Sequence, residues 1–452
     1  MKQQEALTAA SSFSSLLERL FQLSERGTSV RRELLAGLTT FLSMAYVLFV
    51  VPQVLGEAGM PKESVFVATA LAAAVGTLIM GLYANYPVAQ APGMGLLAFF
   101  AYSVVLGMGI PWPKALGAVF VSGFIFFLLV LFHVREAIIA AIPESLKYAT
   151  SAGIGLFIAL IGLKSAGLIV VDPKAGIPRL GSLHDPNVLL ALFGLAVTVI
   201  LLARRVRAAV FYGMVITAIA GMILGLIPAP HRLSEVVGTI PSLQPTLGKL
   251  DFSGLWLHPG AFLFVVFTIL FVDFFDATGT LLAVGNQAGL LREGRLVGGG
   301  RALISDAVAI MIGAWLGTSS TTSYIESSTG VAAGGRTGLT AVTVALLFLL
   351  GLFFAPLLHI VTPAVTAPAL ITVGILMARN FLRIRWDETD EAVPAFLTVV
   401  LMPLTYSIAN GIAFGVMAYP LLKVVRGRRR EVHPVLWGLA GIFMLYFLFL
   451  SR

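Results

Sequence analysis

The sequence predicts an all-α polytopic membrane protein made of two inverted seven-helix repeats, with short strands in its third and tenth spans and one extra helix at the C-terminus. Three observations carry this prediction. Of 452 residues, 58% are AVILMFWYC and 12% are charged, and the mean hydropathy is +0.95; a soluble chain carries about twice that charge fraction. A polar stretch, Pro228–Pro259, separates seven apolar stretches from seven more, and an odd-numbered half, once duplicated, inserts upside down. Two stretches at matching places in the halves are interrupted by extended, polar or proline-containing sequence.

Apolar runs of this length point to helices rather than a barrel. The spans are expected at 33–54, 64–84, 86–106, 114–133, 145–163, 187–203, 208–227, 260–285, 301–317, 319–334, 338–358, 364–380, 393–408 and 411–426, with an extra helix at 434–450. Alternating the loops puts Arg31/Arg32, Arg135, Lys147, Arg204–Arg207, Arg292/Arg295/Arg301, Arg336, Arg379–Arg385 and Lys423–Arg430 on one side. By the positive-inside rule that side, with the N-terminus, is cytoplasmic. The net charge of +8 therefore reads as loop charge and not as a nucleic-acid surface. The polar segment 1–30 has no apolar core like a signal peptide's, so the first span directs insertion.

The third span contains NYPVAQAPGMGLLAFFAY (85–102), and the tenth contains GTSSTTSYIESSTGVAAGG (317–335). Each opens extended and strand-like, then turns helical at Pro92–Gly93 or at SSTG. Paired interruptions of this kind mark a midplane binding site, because irregular backbone at that depth must be covered by protein or line a cavity.

Asp273 and Asp276, in FVDFFDATGT, sit three residues apart on one face of the eighth span. Each costs about 2.5–3.5 kcal/mol at a helix centre, so both must face the interior or a wet cavity. No Lys or Arg shares their span. Close carboxylates disfavour each other's charged form, which suits proton coupling or hydrogen bonding to a nitrogenous ligand. Glu326 stands where the tenth span turns from strand to helix, beside free N–H groups that favour its charge. Together these groups suit a flat molecule offering both donors and acceptors.

The remaining charges read as ordinary. Asp306 is expected to brace Arg301, and Asp387–Glu391 with Arg383 and Arg385 to form a solvated or interfacial loop. The six histidines, His133 and His231 among them, show no ligand spacing, and there are no cysteines, so no metal site is expected. GMG at 93–95 has no GK[ST] or βαβ context for a nucleotide loop. No Ser/His or HExxH arrangement supports an intramembrane hydrolase, and a channel would need a polar stripe along several spans, whereas the polar residues here cluster at one level.

QAPGMG–AFFAY, FVDFFDATGT, SSTTSYIESSTGVAAGGRTGLTA and SIANGIAFG resemble the adenine/guanine/hypoxanthine permeases of the nucleobase–ascorbate (uracil–xanthine) transporter superfamily. The resemblance runs from about Arg31 to Tyr446. It implies a core domain (31–133 and 260–358) that moves against a gate domain (134–227 and 359–427) in an elevator-like cycle. Segment 1–30, loop 228–259 and extra helix 428–452 complete the chain. It implies proton symport of a purine base across the plasma (inner) membrane, with no cofactor beyond the coupling proton, and a homodimer through the gate. By motif, Asp273 and Glu326 contact the base and Asp276 supports them. Ser323 lies in the same segment, and Gly95 lets the third-span backbone come close. Leu97 departs from the family's G-M-G-L-N-A: it lacks the amide of the asparagine implicated in purine recognition. That opens an alternative with the same fold and another heterocycle or an organic anion, such as uracil or a xanthine-like base. The alternative of another class is a channel or non-transporting receptor.

Overall fold

The computed structural model describes residues 15–132, 142–172, 176–257, 259–292 and 295–449; His133 and Arg135 lie outside them. Ten helices among the described residues are long and apolar enough to cross a membrane. The remaining spans are shorter or broken. Span 1, expected as one helix, is among the ten as Val30–Glu57 but is interrupted at Ala45–Tyr46 into Val30–Met44 and Val47–Glu57. Span 2 (Lys62–Ala84) ends in a π-helical turn and closes at Asn85, which is left-handed with φ 54°. Span 3 is strand Gln90–Pro92 followed by helix Met94–Gly107, and span 10 is strand Thr321–Ser323 followed by helix Ser327–Ala332. Spans 4 to 9 are Trp112–Leu131, Glu144–Ser165, Pro186–Ala203, Ala209–Ile223, Pro259–Gln287 and Gly299–Leu316. Spans 11, 12 and 14 are Gly338–His359, Pro363–Arg383 and Ile408–Val425.

Packing repeats between the halves. Span 2 packs on 11 as 9 packs on 4, and 1 packs on 11 as 8 packs on 4. In the other group, 5 packs on 13 as 12 packs on 6, and 6 packs on 7 as 13 packs on 14. Spans 1–4 with 8–11 thus form one body and spans 5–7 with 12–14 the other, with span 3 facing 10 in the first and span 5 facing 12 in the second.

The span 5–12 crossing is a backbone contact. A Cβ on Gly374 would stand 2.5 Å from the Gly155 carbonyl oxygen, and one on Gly155 would stand 2.9 Å from that of Gly374. Such approach is open only to glycine. Gly374→Ala is expected to lower stability by about 1–3 kcal/mol, read as a fall in thermal midpoint of the purified protein.

Of Asp387–Glu391, Asp387 and Glu388 lie outside the helix, with Asp387 exposed, as expected for a solvated or interfacial loop, but Asp390 and Glu391 do not. Span 13 runs Thr389–Leu404, four residues earlier than expected, with Asp390 and Glu391 in its first turn, where the helix dipole favours acids. Asp390 is buried and pairs with Lys423 (3.1 Å) and Arg426 (2.7 Å) of the span 14 end. Lys423 also holds Glu431 at 2.8 Å. That bond keeps the Glu431 carboxyl below the usual glutamate range. Glu431 therefore keeps its charge as pH falls through the ordinary glutamate value, and the link is lost only further down. The extra helix, Pro434–Phe449, follows. Its Phe443 meets Phe264 and Phe267 of span 8 edge-on, with ring centroids 6.0 and 5.5 Å apart, and Phe447 lies against Phe414 of span 14. It bridges the two bodies.

Two contacts fasten the end of the first body that carries Asn85 and Arg336. Buried Glu33 accepts from Arg336 N (2.9 Å), Thr337 N, Thr340 N and Thr340 Oγ1 (2.6 Å), capping span 11. Leu17, Phe21 and Leu23 of the N-terminal segment pack on Leu339.

Candidate functional site

Spans 3 and 10 meet as a two-stranded antiparallel ribbon pairing Gln90 with Ser323, Ala91 with Thr322 and Pro92 with Thr321. Pro92 cannot donate and the hydroxyl-rich TTS run is a poor helix former, so both segments stay extended. Gly93 N donates to Ser320 O and Tyr324 N to Ala89 O, each at 2.9 Å. Side chains satisfy the ribbon's other edge: Ala89 N donates to Ser327 Oγ, and Gln90 N to Thr77 Oγ1. The backbone is thereby paired without water, as the membrane interior requires.

Asp306 clamps the crossing. It is fully buried on span 9 and accepts from Gln90 Nε2 (2.5 Å), Ser323 Oγ (2.8 Å) and Thr322 Oγ1 (3.2 Å). It joins both strands instead of bracing Arg301. Five residues along a helix is a turn of about 140°, so Arg301 projects elsewhere.

Asp273 is also fully buried, and Ser320 Oγ lies 2.7 Å from both its carboxylate oxygens. Asp276 is exposed. It stands eleven residues above Gln287 in span 8, about 16 Å along the helix. Its Oδ2 lies 4.0 Å from where a Cβ on Gly93 would stand, and it is within electrostatic reach of Asp306 and Glu326. Groups of spans 3, 9 and 10 thus lie near it, on the side of the helix that faces the strand crossing. In this conformation Asp273 is closed behind Ser320 and Asp276 is exposed.

Glu326 is half-buried at the start of helix Ser327–Ala332, makes no side-chain cap to that helix, and accepts from Tyr46 OH at Oε1, 2.8 Å away. The Ser323 hydroxyl is given to Asp306. Gly95 allows a close approach, but to span 5: a Cβ there would stand 2.5 Å from Ile154 Cγ2. Leu97 is 1% exposed inside the main apolar core.

Below Asp276, exposed residues continue down one side of span 8: Gly279, Leu282, Ala283 and Asn286. This helical stripe runs to the end near Arg292 and Arg301, the arginine-rich face. At the opposite end the bodies touch: Gln53 Nε2 donates to Val361 O (2.7 Å) and Ser103 Oγ to Tyr406 O (2.8 Å). Lys147 Nζ lies 5.4 Å from the Phe275 ring, bringing span 5 beside the site. Two hollows of about 340 and about 420 Å³ lie at span ends near Asp185 and Thr362 and near Lys62 and His359. Neither is lined by an intramembrane carboxylate, so the strand crossing remains the candidate.

Asp306, Ser320, Gln90 and Tyr46 were not singled out from the sequence as site residues. An acid inside a span was the one available signal for Asp306. The other three became legible only through their partners.

The permease family Xan_ur_permease matches residues 31–414. The chain belongs to this family. The guanine/hypoxanthine permease PbuG of Bacillus subtilis (strain 168) is 53% identical over 449 residues, covering 96% of this chain and all of that one. The adenine permease AdeQ of Escherichia coli (strain K12) is 45% identical, covering 96% of each chain. The transmembrane domain of the cyanobacterial bicarbonate transporter BicA shares the fold, with a TM-score of 0.63 at 17% identity, covering 84% of this permease and 97% of that chain. The permease thus has the expected multi-pass helical fold of two inverted repeats with core and gate domains, and short strands crossing between its broken spans.

Proposed function

We propose that this permease takes up a purine nucleobase (guanine, hypoxanthine or adenine) across the plasma membrane by proton-coupled alternating access. The observation that carries the reading is the pair Asp276 and Glu326, two acceptors at one depth beside the strand crossing, in a chain whose close relatives are named for purine bases. Carboxylates accept from ring and exocyclic N–H groups. Half-exposed Phe275 and exposed Ile325, next to them in sequence, offer apolar surface to a flat ring. Asp273 sets the ribbon through Ser320, and Asp276, Glu326 and Asp273 are the groups that exchange the coupling proton. Leu97 is packed in the apolar core and supplies no hydrogen bond to a ligand.

The core (31–133 and 260–358) moves as an elevator against the gate (134–227 and 359–427), and two copies dimerise through the gate. The arginine-rich face and the N-terminus are cytoplasmic in this reading, and the exposed stripe below Asp276 supports a path from the site toward that face. The test is uptake of radiolabelled hypoxanthine, guanine and adenine by cells expressing the permease. A protonophore should collapse accumulation; accumulation that follows a sodium gradient alone contradicts proton coupling.

A further inference from the structure

We propose that Tyr46 is the positioning residue for Glu326, holding its carboxylate in the orientation that meets the substrate. This rests on the reading that Glu326 contacts the base. Span 1 breaks at Ala45–Tyr46, between Met44 and Val47. The break stands where span 1 reaches the helical start of span 10. Two hydrogen bonds join them there: Ser43 Oγ to Thr329 Oγ1 at 2.9 Å, and Tyr46 OH to Glu326 Oε1 at 2.8 Å.

Tyr46 is 1% exposed. A buried phenol needs a protein acceptor, and here the acceptor is the one carboxylate of the broken span. Glu326 makes no side-chain cap to its own helix; its carboxylate is held by its own backbone N–H and by the Tyr46 hydroxyl. The hydroxyl occupies Oε1, so Oε2 is the oxygen proposed to accept from a ligand N–H. Ser320 holds the start of the strand against Asp273 of span 8, and Tyr46 of span 1 holds the start of the helix. Spans 1 and 8 are repeat partners, so each half of the protein fixes one end of the same broken segment.

Tyr46→Phe removes only the hydroxyl oxygen. With one hydrogen bond to a charged group lost, KM for hypoxanthine should rise about tenfold, with the maximal rate within about twofold of wild type and unchanged membrane levels. Ser43→Ala breaks the link to Thr329, which bonds the Glu326 backbone carbonyl, but leaves the bond to the Glu326 carboxylate in place and should leave KM unchanged. A second readout needs no purine: carbodiimide coupling of an amine to Glu326, mapped by mass spectrometry, should rise severalfold in Tyr46→Phe because Oε1 is released. If Tyr46→Phe has wild-type KM, or Ser43→Ala raises KM equally, Tyr46 only docks span 1 and the proposal fails. If wild type takes up no purine, the functional reading fails, and the labelling alone decides: an increase supports Tyr46 as the group that holds Glu326, and no change overturns it.

Discussion

Glu326→Ala and Asp276→Ala each reduce hypoxanthine uptake to background while the protein still reaches the membrane. A charge-assisted hydrogen bond to the base is worth about 1.5–3 kcal/mol, or roughly ten- to a hundredfold in affinity, and loss of a proton-exchanging group stops the coupled cycle as well. Asp276 is exposed and holds neither strand of the ribbon, so Asp276→Ala should keep near-wild-type insertion and thermal stability. Glu326→Ala leaves the buried Tyr46 hydroxyl without its acceptor, which costs about 1–3 kcal/mol, so its thermal midpoint should fall modestly while the protein still inserts. Asp273→Ala also loses uptake, but by another route: Ser320 loses its buried acceptor, and stability falls with activity. Uptake normalised to membrane protein, beside the thermal midpoint of each purified variant, separates the two. Wild-type uptake in either Glu326→Ala or Asp276→Ala contradicts the assigned site.

Asp306→Ala should be the most destabilising single change at the crossing. It leaves Gln90 Nε2, Ser323 Oγ and Thr322 Oγ1 without their shared acceptor inside a membrane-buried core. An unpaired buried donor costs about 1–3 kcal/mol, so with one hydroxyl re-partnered the two donors left should cost about 2–6 kcal/mol. Asp306→Asn keeps one oxygen acceptor and should recover part of it, because the Ser323 hydroxyl can turn to accept. Thermal unfolding in detergent measures both. A midpoint for Asp306→Ala equal to wild type contradicts the clamp.

Much of the fold was legible because its signals are local. Apolar length gave the spans, loop arginines their direction, and Pro92 and the TTS run the two breaks. What stayed hidden depends on partners distant in sequence. Asp390 reads as a solvated acid until Lys423 and Arg426 of the next helix come beside it. Tyr46 is one aromatic in an apolar run until Glu326 meets it.

The two aspartates of span 8 show the limit most sharply. Their spacing places them about 60° apart around the helix, near enough to share a face. One edge of that face is sealed by Ser320 and the other is exposed. Only the packing of spans 3, 9 and 10 decides which residue falls on which edge.

The central claim is that a purine base binds at the strand crossing against Glu326. The most direct test is the thermal shift of purified protein with hypoxanthine, guanine and adenine, for wild type and Glu326→Gln. A ligand that binds only the folded state at a hundred times its Kd adds about 2.7 kcal/mol of apparent stability. The account predicts a clear rise in midpoint for wild type with at least one of the three bases, and none for Glu326→Gln at the same concentration. No shift in wild type, or an equal shift in both proteins, would contradict it.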